Sequence, residues 1–585
     1  PMKILTNHMG YSADGPKKVV IRCADGEAPG VCRLVDAAGR VCRSLLPCKA
    51  GPVANWNKGT FWTADFTDYT AEGEYQVEAE GPGGCVRSHP FRISGKVLTM
   101  RMISAVGYYF KAQRDSGEWL AADRALPFAG PREGIVDAHG GWYDATGDYG
   151  IHMSHLSHST WHNPQQMPFS AYAFFKVHEF LTAGGNEEYT MVKRRALDEG
   201  FWGADFLLRM RAPSGSFYRT ISRAKALDAV HGTRTLGFEY KGSSAQFSAT
   251  AATADSETVT DENYECSLRC GGGLAIAALA AAGRHFYLGA GHSQQEYVLA
   301  AKEAWAHLSR HNEAYTNDGK WNLVDEYCAL IAVTELWRTT GEYEYLAAAR
   351  DLAARIGART VPMGPQMRRL EMAPGRPFYS AADEGMPLVA LLQYAETEPD
   401  PQAAEAARRL AGEIFRYQLH LTDGVVNPFG YPRMECLDGG TIHTRFFFSH
   451  ESTAAPWWQG DNARLASLSA AARMLSRVTP DPDFAARCRK LAQDTLDWIM
   501  GCNPFDACMI EGYGYHNIQY FYEGRYDFLN CPGGICNGIT SGLHDEEGIE
   551  FVTRPTEEVG DNWRWAEQWI PHASWYLYAM ALKFE

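Results

Sequence analysis

The hydrophobic pattern of this 585-residue chain changes near residue 95. Before that point, short runs such as KKVVIRC and GEYQVEAEG alternate between Gly- and Pro-containing turns, which is typical of strands in a small β-sandwich. After it, apolar residues recur at spacings of three and four, which indicates amphipathic helices. Because the chain is also too long for one hydrophobic core, we predict two domains, residues 1–95 and residues 96–585.

The second domain contains about twelve helical candidates. They are 97–113, 168–181, 196–211, 271–286, 294–310, 324–340, 344–357, 384–396, 402–420, 462–477, 484–501 and 567–582. Twelve helices in sequential hairpins predict an (α/α)6 barrel with six inner and six outer helices. The long polar loops between them are 127–165, 212–262, 360–382, 421–461 and 502–566. Loops of this length in a compact domain are usually functional, so the site is expected among them.

Charge and hydropathy narrow the range of partners. The formal net charge is −15, and no long run of Lys or Arg occurs, which argues against nucleic acid and against an anionic membrane surface. The sequence contains no stretch of eighteen apolar residues, so no membrane span is predicted. Aromatic residues make up 12% of the chain, with 16 Trp and 29 Tyr, and such side chains suit either cores or sugar-stacking platforms. An uncharged or cationic ligand fits this composition.

The cysteine pattern indicates a reducing environment. The 14 cysteines form no dense framework of the kind found in small secreted domains, and the start of the chain lacks the apolar region of a secretory signal. We therefore predict mostly reduced cysteines and a cytoplasmic protein, either a monomer or a homodimer. No CxxC pair occurs in the sequence, so a structural zinc site is not predicted.

Metal ions and cofactors are not predicted. The histidines of IHMSHLSHSTWH, which are His152, His155, His158 and His162, could bind a metal, but their spacing favours hydrogen-bonded loop or subsite residues. Calcium is conceivable in a loop-rich barrel, although no twelve-residue calcium loop is visible. We expect no cofactor.

The segment GGWYDATGDYG places Asp144 and Asp148 in a glycine- and aromatic-rich loop. Two carboxylates held close together can orient a water molecule and accept its proton, which is half of what glycoside hydrolysis requires. The alternative is a turn with solvated or capping aspartates, which is common in Gly-rich loops. The aspartate pair therefore predicts a water-activating site.

The other half of the reaction requires an acid, and Glu567 in WRWAEQWIPHA is the best candidate. Trp563, Trp565 and Trp569 surround it in the sequence, and apolar neighbours favour the protonated form of a carboxyl group. Alternatively, Glu567 merely stabilises the N-terminus of the last helix through the helix dipole. One acid facing a water-activating pair is the arrangement of an inverting glycosidase.

These motifs resemble those of glycoside hydrolase family 9, the family of many cellulases. The opening ILTNHMGYSADGPKKVVI is similar to its immunoglobulin-like domain, GGWYDATGDYG to its Asp-Ala-Gly-Asp signature, EGFWGADFLLRM to the next helix and EQWIPHA to its terminal Glu motif. The resemblance covers nearly the whole chain. It implies that Asp148 is the base, Asp144 its partner on the water and Glu567 the acid.

The chain departs from the family pattern at two places. Thr146 is an extra residue in the signature, so Asp144 and Asp148 are four positions apart instead of three. The usual His-His-Arg segment is replaced by HNIQYFYEGRY, which follows GCNPFDACMIEGYGY. The second departure argues against endo-acting cellulose binding.

A second cluster favours a short, closed binding pocket. The segment FFFSHESTAAPWWQGDNARL contributes His450, Glu451, Trp457 and Trp458, which could hold the terminal sugar. Adjacent residues cannot both face one sugar, so at most one of the two tryptophans is the platform. The further predicted sugar contacts are Tyr143 and Tyr513.

Together these patterns predict an inverting exo-β-glycosidase that acts on short β-1,4-linked gluco- or glucosamino-oligosaccharides from the non-reducing end. An endo-β-1,4-glucanase with an open cleft is the alternative enzyme, and product profiles distinguish the two. A non-catalytic glycan-binding protein is the alternative of another class. The presence of three carboxyl groups argues against it, because binding alone does not require an acid facing a base.

Overall fold

A computed structural model describes residues 1–146, 165–185, 187–222, 234–241, 258–450, 458–526 and 530–584. The predicted fold class is confirmed, since an immunoglobulin-like β-sandwich precedes an all-helical barrel. The last strand of the sandwich ends at Ser94 and the first helix begins at Lys96. Within the described ranges, no helix is both long and apolar enough to cross a membrane.

The sandwich consists of two sheets. One contains, in spatial order, Lys3–Leu5, Lys18–Cys23, Thr60–Asp65 and Cys48–Gly51. The other contains Gly10–Ser12, Phe91–Ser94, Gly73–Gly81, Cys32–Asp36 and Val41–Leu45, with Gly84–Arg87 paired to Gly73–Gly81. Neighbouring strands are antiparallel except Gly10–Ser12 and Phe91–Ser94. Alternate side chains fill the space between the sheets.

The first sheet also packs against the helical domain. Val19 and Ile21 face the core of the sandwich, whereas Val20 between them joins the core of the helical domain. Leu5 and Phe61, on the two neighbouring strands, join the same core as Val20. Because successive side chains of a strand point to opposite faces, the sheet is buried on both sides. The two domains therefore share a hydrophobic interface.

Buried polar contacts reinforce this interface. Lys18 forms an ion pair with Asp494 at 2.9 Å, with side chains only 9% and 3% exposed. The amide of Asn7 donates to Asp497 at 2.9 Å. Buried charges need partners to offset the cost of desolvation, and each of these partners lies in the other domain. The domains consequently dock in one specific orientation.

Within the described residues, twelve helices form the predicted barrel. The inner six are Met167–Ala183, Gly273–Ala282, Leu323–Thr340, Met386–Thr397, Asn462–Val478 and Ile570–Ala581. Each contacts the next, and the last contacts the first, so the ring is closed. The outer six are Lys96–Gln113, Thr190–Arg209, Gln294–His311, Tyr343–Ala358, Pro401–Asp423 and Pro482–Ile499. The inner helices are apolar nearly all round, as in Gly273–Ala282, whereas the outer ones bury a single stripe.

The loops carry small additional elements. These are the helices Gly117–Asp123 and Trp563–Ala566, the hairpin strands Leu126–Pro127 with Ile135–Val136, Thr220–Ser222 with Thr235–Gly237, and Met434–Asp438 with Thr441–Arg445, and the three strands Thr360–Gly364, Met367–Ala373 and Arg376–Pro377. No disulfide bond occurs in the described part of the chain. The cytoplasmic location itself stays a prediction.

One predicted helix boundary is wrong in a way that matters for the site. The last helix begins at Ile570, with Pro571 in its first turn, and not at residue 567. Glu567 has extended backbone angles (φ −65°, ψ 127°), because residues 568–570 pair with another loop. Tertiary pairing overrides the local helical pattern here. Glu567 therefore lies on an extended segment that precedes the inner helix Ile570–Ala581. Because it is not in the first turn of this helix, the helix-dipole alternative does not apply to it.

Candidate active site

The aspartate loop follows the strand Ile135–Val136 and lies against the C-terminal end of the outer helix Lys96–Gln113, where the Tyr143 N–H donates to the Gln113 carbonyl oxygen at 2.8 Å. Gly140 and Gly141 have positive φ angles of 108° and 71°, which glycine adopts without strain. A Cβ on Gly141 would lie 2.9 Å from the ring of Phe206, so the turn also needs a residue without a side chain. The carboxylate of Asp115 accepts the Gly140 N–H, and the Asp115 N–H donates to the Gly141 carbonyl oxygen. The sequence around the glycines thus determines the direction of the loop.

The next two residues anchor the loop in the protein interior. Trp142 is fully buried and donates its indole N–H to Glu199 at 3.0 Å. Tyr143 is 1% exposed, and its hydroxyl lies 3.3 Å from a carboxylate oxygen of Asp115 and accepts the Ser116 N–H. This placement gives Tyr143 a structural role and leaves no ring surface for the predicted sugar contact.

Asp144 lies where the loop meets the segment that carries Glu567. The carbonyl oxygen of Asp144 accepts the Ile570 N–H at 2.9 Å, and the Thr146 N–H donates to the Gln568 carbonyl oxygen at 2.9 Å. Between these two bonds, Ala145 forms an antiparallel bridge with Trp569. Residues more than 400 positions apart are thereby paired, and the structure brings Asp144 and Glu567 together.

Glu567 is partly buried at the edge of this pairing. Its carbonyl oxygen accepts the Asn537 N–H at 2.8 Å, and the hydroxyl of Tyr520 lies 3.5 Å from its Oε2 atom. Tyr520 is 2% exposed and belongs to the segment HNIQYFYEGRY. The sequence analysis missed this residue, because only the tertiary structure brings it to the carboxyl group of Glu567.

Tyr109, on the outer helix Lys96–Gln113, is a second residue that sequence analysis missed. Its hydroxyl is buried, and burial raises its pKa. The negative charges of Glu567 and Asp144 act in the same direction. Tyr109 therefore lies near both Asp144 and Glu567.

A neutral histidine supports the segment beside Glu567. His572 is 1% exposed, its Nδ1 accepts the Ala463 N–H at 2.7 Å, and its Nε2 lies 2.8 Å from the side-chain oxygen of Asn537. Because Nδ1 accepts a backbone N–H, Nε2 must carry the proton and donate it. Asn537 in turn contacts Glu567 through the backbone. The neutral form of His572 is thus built into the site.

Because His572 is buried in its neutral form, we expect the folded protein to lose stability in acid. Burial lowers its pKa to about 3 from an ordinary value near 6.5. Between these values the unfolded chain binds the proton and the folded chain does not, so its contribution is complete above about pH 6.5 and falls with decreasing pH. At pH 4.5 the free energy of unfolding should be about 2.7 kcal/mol lower from this group alone.

Urea unfolding of wild type and His572→Gln at pH 7 and pH 4.5 measures this contribution. The difference in unfolding free energy between the two proteins should shrink by about 2.7 kcal/mol on acidification. His420→Gln, at an exposed position of an outer helix, is the matched control and should keep a constant difference. A pH-independent difference for His572→Gln would contradict the assigned protonation state.

Of the predicted terminal-sugar cluster, the structure describes His450 and Trp458. Trp458 is 5% exposed, His450 stacks on its ring at 4.0 Å, and the Arg564 guanidinium lies 4.3 Å from the ring centroid. His450 is itself held by Ser541, at 2.9 Å from Nε2. Trp458 therefore has no free face for the predicted sugar platform. The sugar contact of His450 stays a prediction.

Several predicted residues fall outside the described ranges. Asp148, Glu451 and Trp457 are among them, as are all four histidines of the 152–162 segment. Tyr513 is described, and it is partly buried, with backbone contacts to Ile510 and Asn517. Its sugar contact also stays a prediction.

The described residues contain one cluster with metal-ligand spacing, at the domain interface. Nε2 of His8 and Nε2 of His89 lie 2.8 Å and 2.9 Å from the two carboxylate oxygens of Asp506. Nδ1 of His8 accepts the Tyr515 N–H, so the proton of this ring is on Nε2 and points to Asp506. A metal on Nε2 would have to replace that proton. Hydrogen bonding accounts for these three residues, and the absence of a metal cofactor stays a prediction.

An (α/α)6 barrel with an aspartate loop beside an acidic residue belongs to the class of carbohydrate-cleaving hydrolases. The chain is a member of glycosyl hydrolase family 9, whose family model matches residues 101–527, and it is therefore an inverting glycoside hydrolase. Residues 1–83 match the model of the cellulase N-terminal ig-like domain. Asp144 and Asp148 lie within the first match, whereas Glu567 lies beyond it.

Solved structures with the same fold cover both domains. A metagenome-derived family 9 endoglucanase is 19% identical, with a TM-score of 0.65, and the match covers 100% of this chain and 99% of that chain. A Bacteroides ovatus family 9 protein is 19% identical, with a TM-score of 0.65 and coverages of 99% and 98%. AaCel9A in complex with a cellobiose-like isofagomine is 17% identical, with a TM-score of 0.58 and coverages of 100% and 99%. No curated protein matches the sequence significantly.

Proposed function

We propose that this protein is an endo-β-1,4-glucanase that cleaves soluble gluco-oligosaccharides or glucan chains internally. The packing of Trp458 carries the proposal, because His450 and Arg564 leave this tryptophan no face for the wall of a closed terminal-sugar pocket. A protein with the same two domains is an endoglucanase, which supports the proposal. Trp457, the other candidate platform for a terminal sugar, lies outside the described residues, and product analysis decides between the two modes of action.

In the proposed mechanism, Asp148 accepts a proton from the attacking water while Asp144 helps to orient that water. Glu567 donates a proton to the leaving glycosidic oxygen. The pairing of residues 144–146 with residues 568–570 supports this division, because it holds the aspartate loop against the segment of the acid. Attack by water opposite the leaving group inverts the anomeric configuration.

The substrate is proposed to be an uncharged β-1,4-linked glucan. Tyr520, next to Glu567, is proposed to orient the acid. Glucosamine-containing chains are the alternative substrate, and their recognition would depend on Glu451 as a partner for the ammonium group.

Product analysis tests the mode of action. With cellohexaose labelled at the reducing end, we expect labelled products of several lengths from the first minutes of the reaction. The β-1,4-linked hexamer of glucosamine is the matched comparison and should be cleaved more slowly. Release of single sugars from the non-reducing end would instead support the exo-acting alternative. Binding of cellohexaose without any cleavage would support the glycan-binding alternative.

A further inference from the structure

Thr146 makes two bonds to the residue that follows the proposed acid. Its N–H donates to the carbonyl oxygen of Gln568 at 2.9 Å, and its hydroxyl donates to the side-chain oxygen of the same glutamine at 2.9 Å. Thr146 lies two residues after Asp144 and two before Asp148. The contact therefore connects the middle of the aspartate loop to the immediate neighbour of Glu567.

Gln568 is well suited to act as a rigid partner. It is 0% exposed, its Oε1 also accepts the Cys531 N–H at 2.8 Å, and its Nε2 donates to the Cys531 carbonyl oxygen at 2.8 Å. Its backbone forms a bridge with Cys536. A Cβ on Gly534 would lie 2.4 Å from the Gln568 side chain, so the glycine leaves the space that this side chain fills. With its side-chain amide held by two hydrogen bonds to Cys531, Gln568 offers Thr146 a fixed acceptor.

We propose that Thr146 is a positioning residue that sets the relative placement of the water-orienting Asp144 and the acid Glu567. This inference rests on the proposed catalytic roles of these carboxyl groups. The backbone hydrogen bond of Thr146 aligns the two segments. Its hydroxyl hydrogen bond is a second contact, which limits rotation of the loop about the backbone bond. Displacement of catalytic groups by about 1 Å can cost on the order of 10²-fold in rate, so a single such bond can matter.

Thr146→Val tests the inference, because valine keeps the shape of threonine and removes the hydroxyl. We expect kcat on cellohexaose to fall about tenfold, with KM changed less than about twofold and with an unchanged melting temperature; tenfold corresponds to about 1.4 kcal/mol, the size of one hydrogen bond. Thr146→Ser retains the donor and should restore most of kcat. Thr182→Val removes a hydroxyl that bonds to the His178 carbonyl oxygen at the exposed end of the inner helix Met167–Ala183, and it is the matched control.

A substrate that needs no acid separates loop positioning from an effect on Glu567 alone. With an aryl cellobioside whose leaving group departs without protonation, Thr146→Val should still lower kcat about tenfold, because Thr146 holds the loop that carries Asp144 and the water must be activated whichever group departs. A loss confined to cellohexaose, or a loss in kcat that follows a lower melting temperature, would overturn the inference. If Glu567→Gln does not slow cellohexaose hydrolysis, the proposed function fails, and that result is distinct from a failure of the role of Thr146.

Discussion

Replacing Glu567 by glutamine is expected to lower kcat on cellohexaose by about 10²- to 10⁴-fold. Glutamine has nearly the same shape but cannot donate a proton to the leaving oxygen. The extended backbone of Glu567 is held by hydrogen bonds to Trp563 and Asn537, which do not involve the carboxyl group, so the variant should fold normally. Initial rates with cellohexaose, together with melting temperatures, measure the effect.

The leaving group provides the internal control for this experiment. When the phenol of an aryl cellobioside is strongly acidic, it departs without protonation. The kcat of Glu567→Gln on that substrate should therefore be less than about tenfold below that of the wild type. Glu303→Gln, on the outer face of the barrel where Glu303 pairs with Arg211 at 3.0 Å, should leave both rates unchanged. Equal losses of Glu567→Gln on the two substrates would show that Glu567 is not the acid.

Replacing Asp144 by asparagine is expected to give a comparable loss of about 10²- to 10⁴-fold, but on both substrates. The attacking water must be oriented and deprotonated whichever group departs, so an activated phenol cannot compensate. The carbonyl oxygen of Asp144, which accepts the Ile570 N–H, is unaffected by the substitution. Steady-state kinetics on cellohexaose and on the aryl cellobioside measure the two losses.

Asp137→Asn is the matched control for Asp144→Asn. Asp137 lies on the same loop, is 53% exposed and contacts His139, away from the pairing with residues 568–570. The kcat of Asp137→Asn on both substrates should remain at the wild-type level. If Asp144→Asn retained more than a third of the activity, or recovered with the activated leaving group, Asp144 would not act on the water.

Much of the fold could be predicted from local pattern. A strand that is buried on one face alternates every second residue, and a helix that buries a stripe repeats at three and four, so Gly73–Gly81 and Pro401–Asp423 can be recognised from their own residues. The glycines before Asp144 likewise indicate a turn without reference to the rest of the chain. Contacts across the domain interface, such as Val20 against the helical core, have no local signature.

The site could be predicted only in part, for the same reason. Asp144 and Glu567 were found because each lies in a short recognisable motif. Tyr520 and Tyr109 were missed, since nothing in their own segments indicates that they lie near these carboxyl groups. Trp458 was predicted to bind sugar, yet an aromatic residue in a loop has the same local pattern whether it faces a ligand or is stacked by His450 and Arg564.

The sequence by itself determined a β-sandwich, twelve helices, an aspartate-bearing glycine loop and an acidic residue among tryptophans, because these depend on periodicity and on neighbours along the chain. Only the tertiary structure decided that Asp144 and Thr146 pair with the segment of Glu567, and that His572 is neutral. These properties arise from burial and from hydrogen bonds between residues that are distant in the sequence. The bonded residues are more than 100 positions apart for His572 and more than 400 positions apart for Asp144 and Thr146. The extra threonine in the aspartate loop illustrates the difference, since its effect on the site follows from Gln568 and not from its own neighbours.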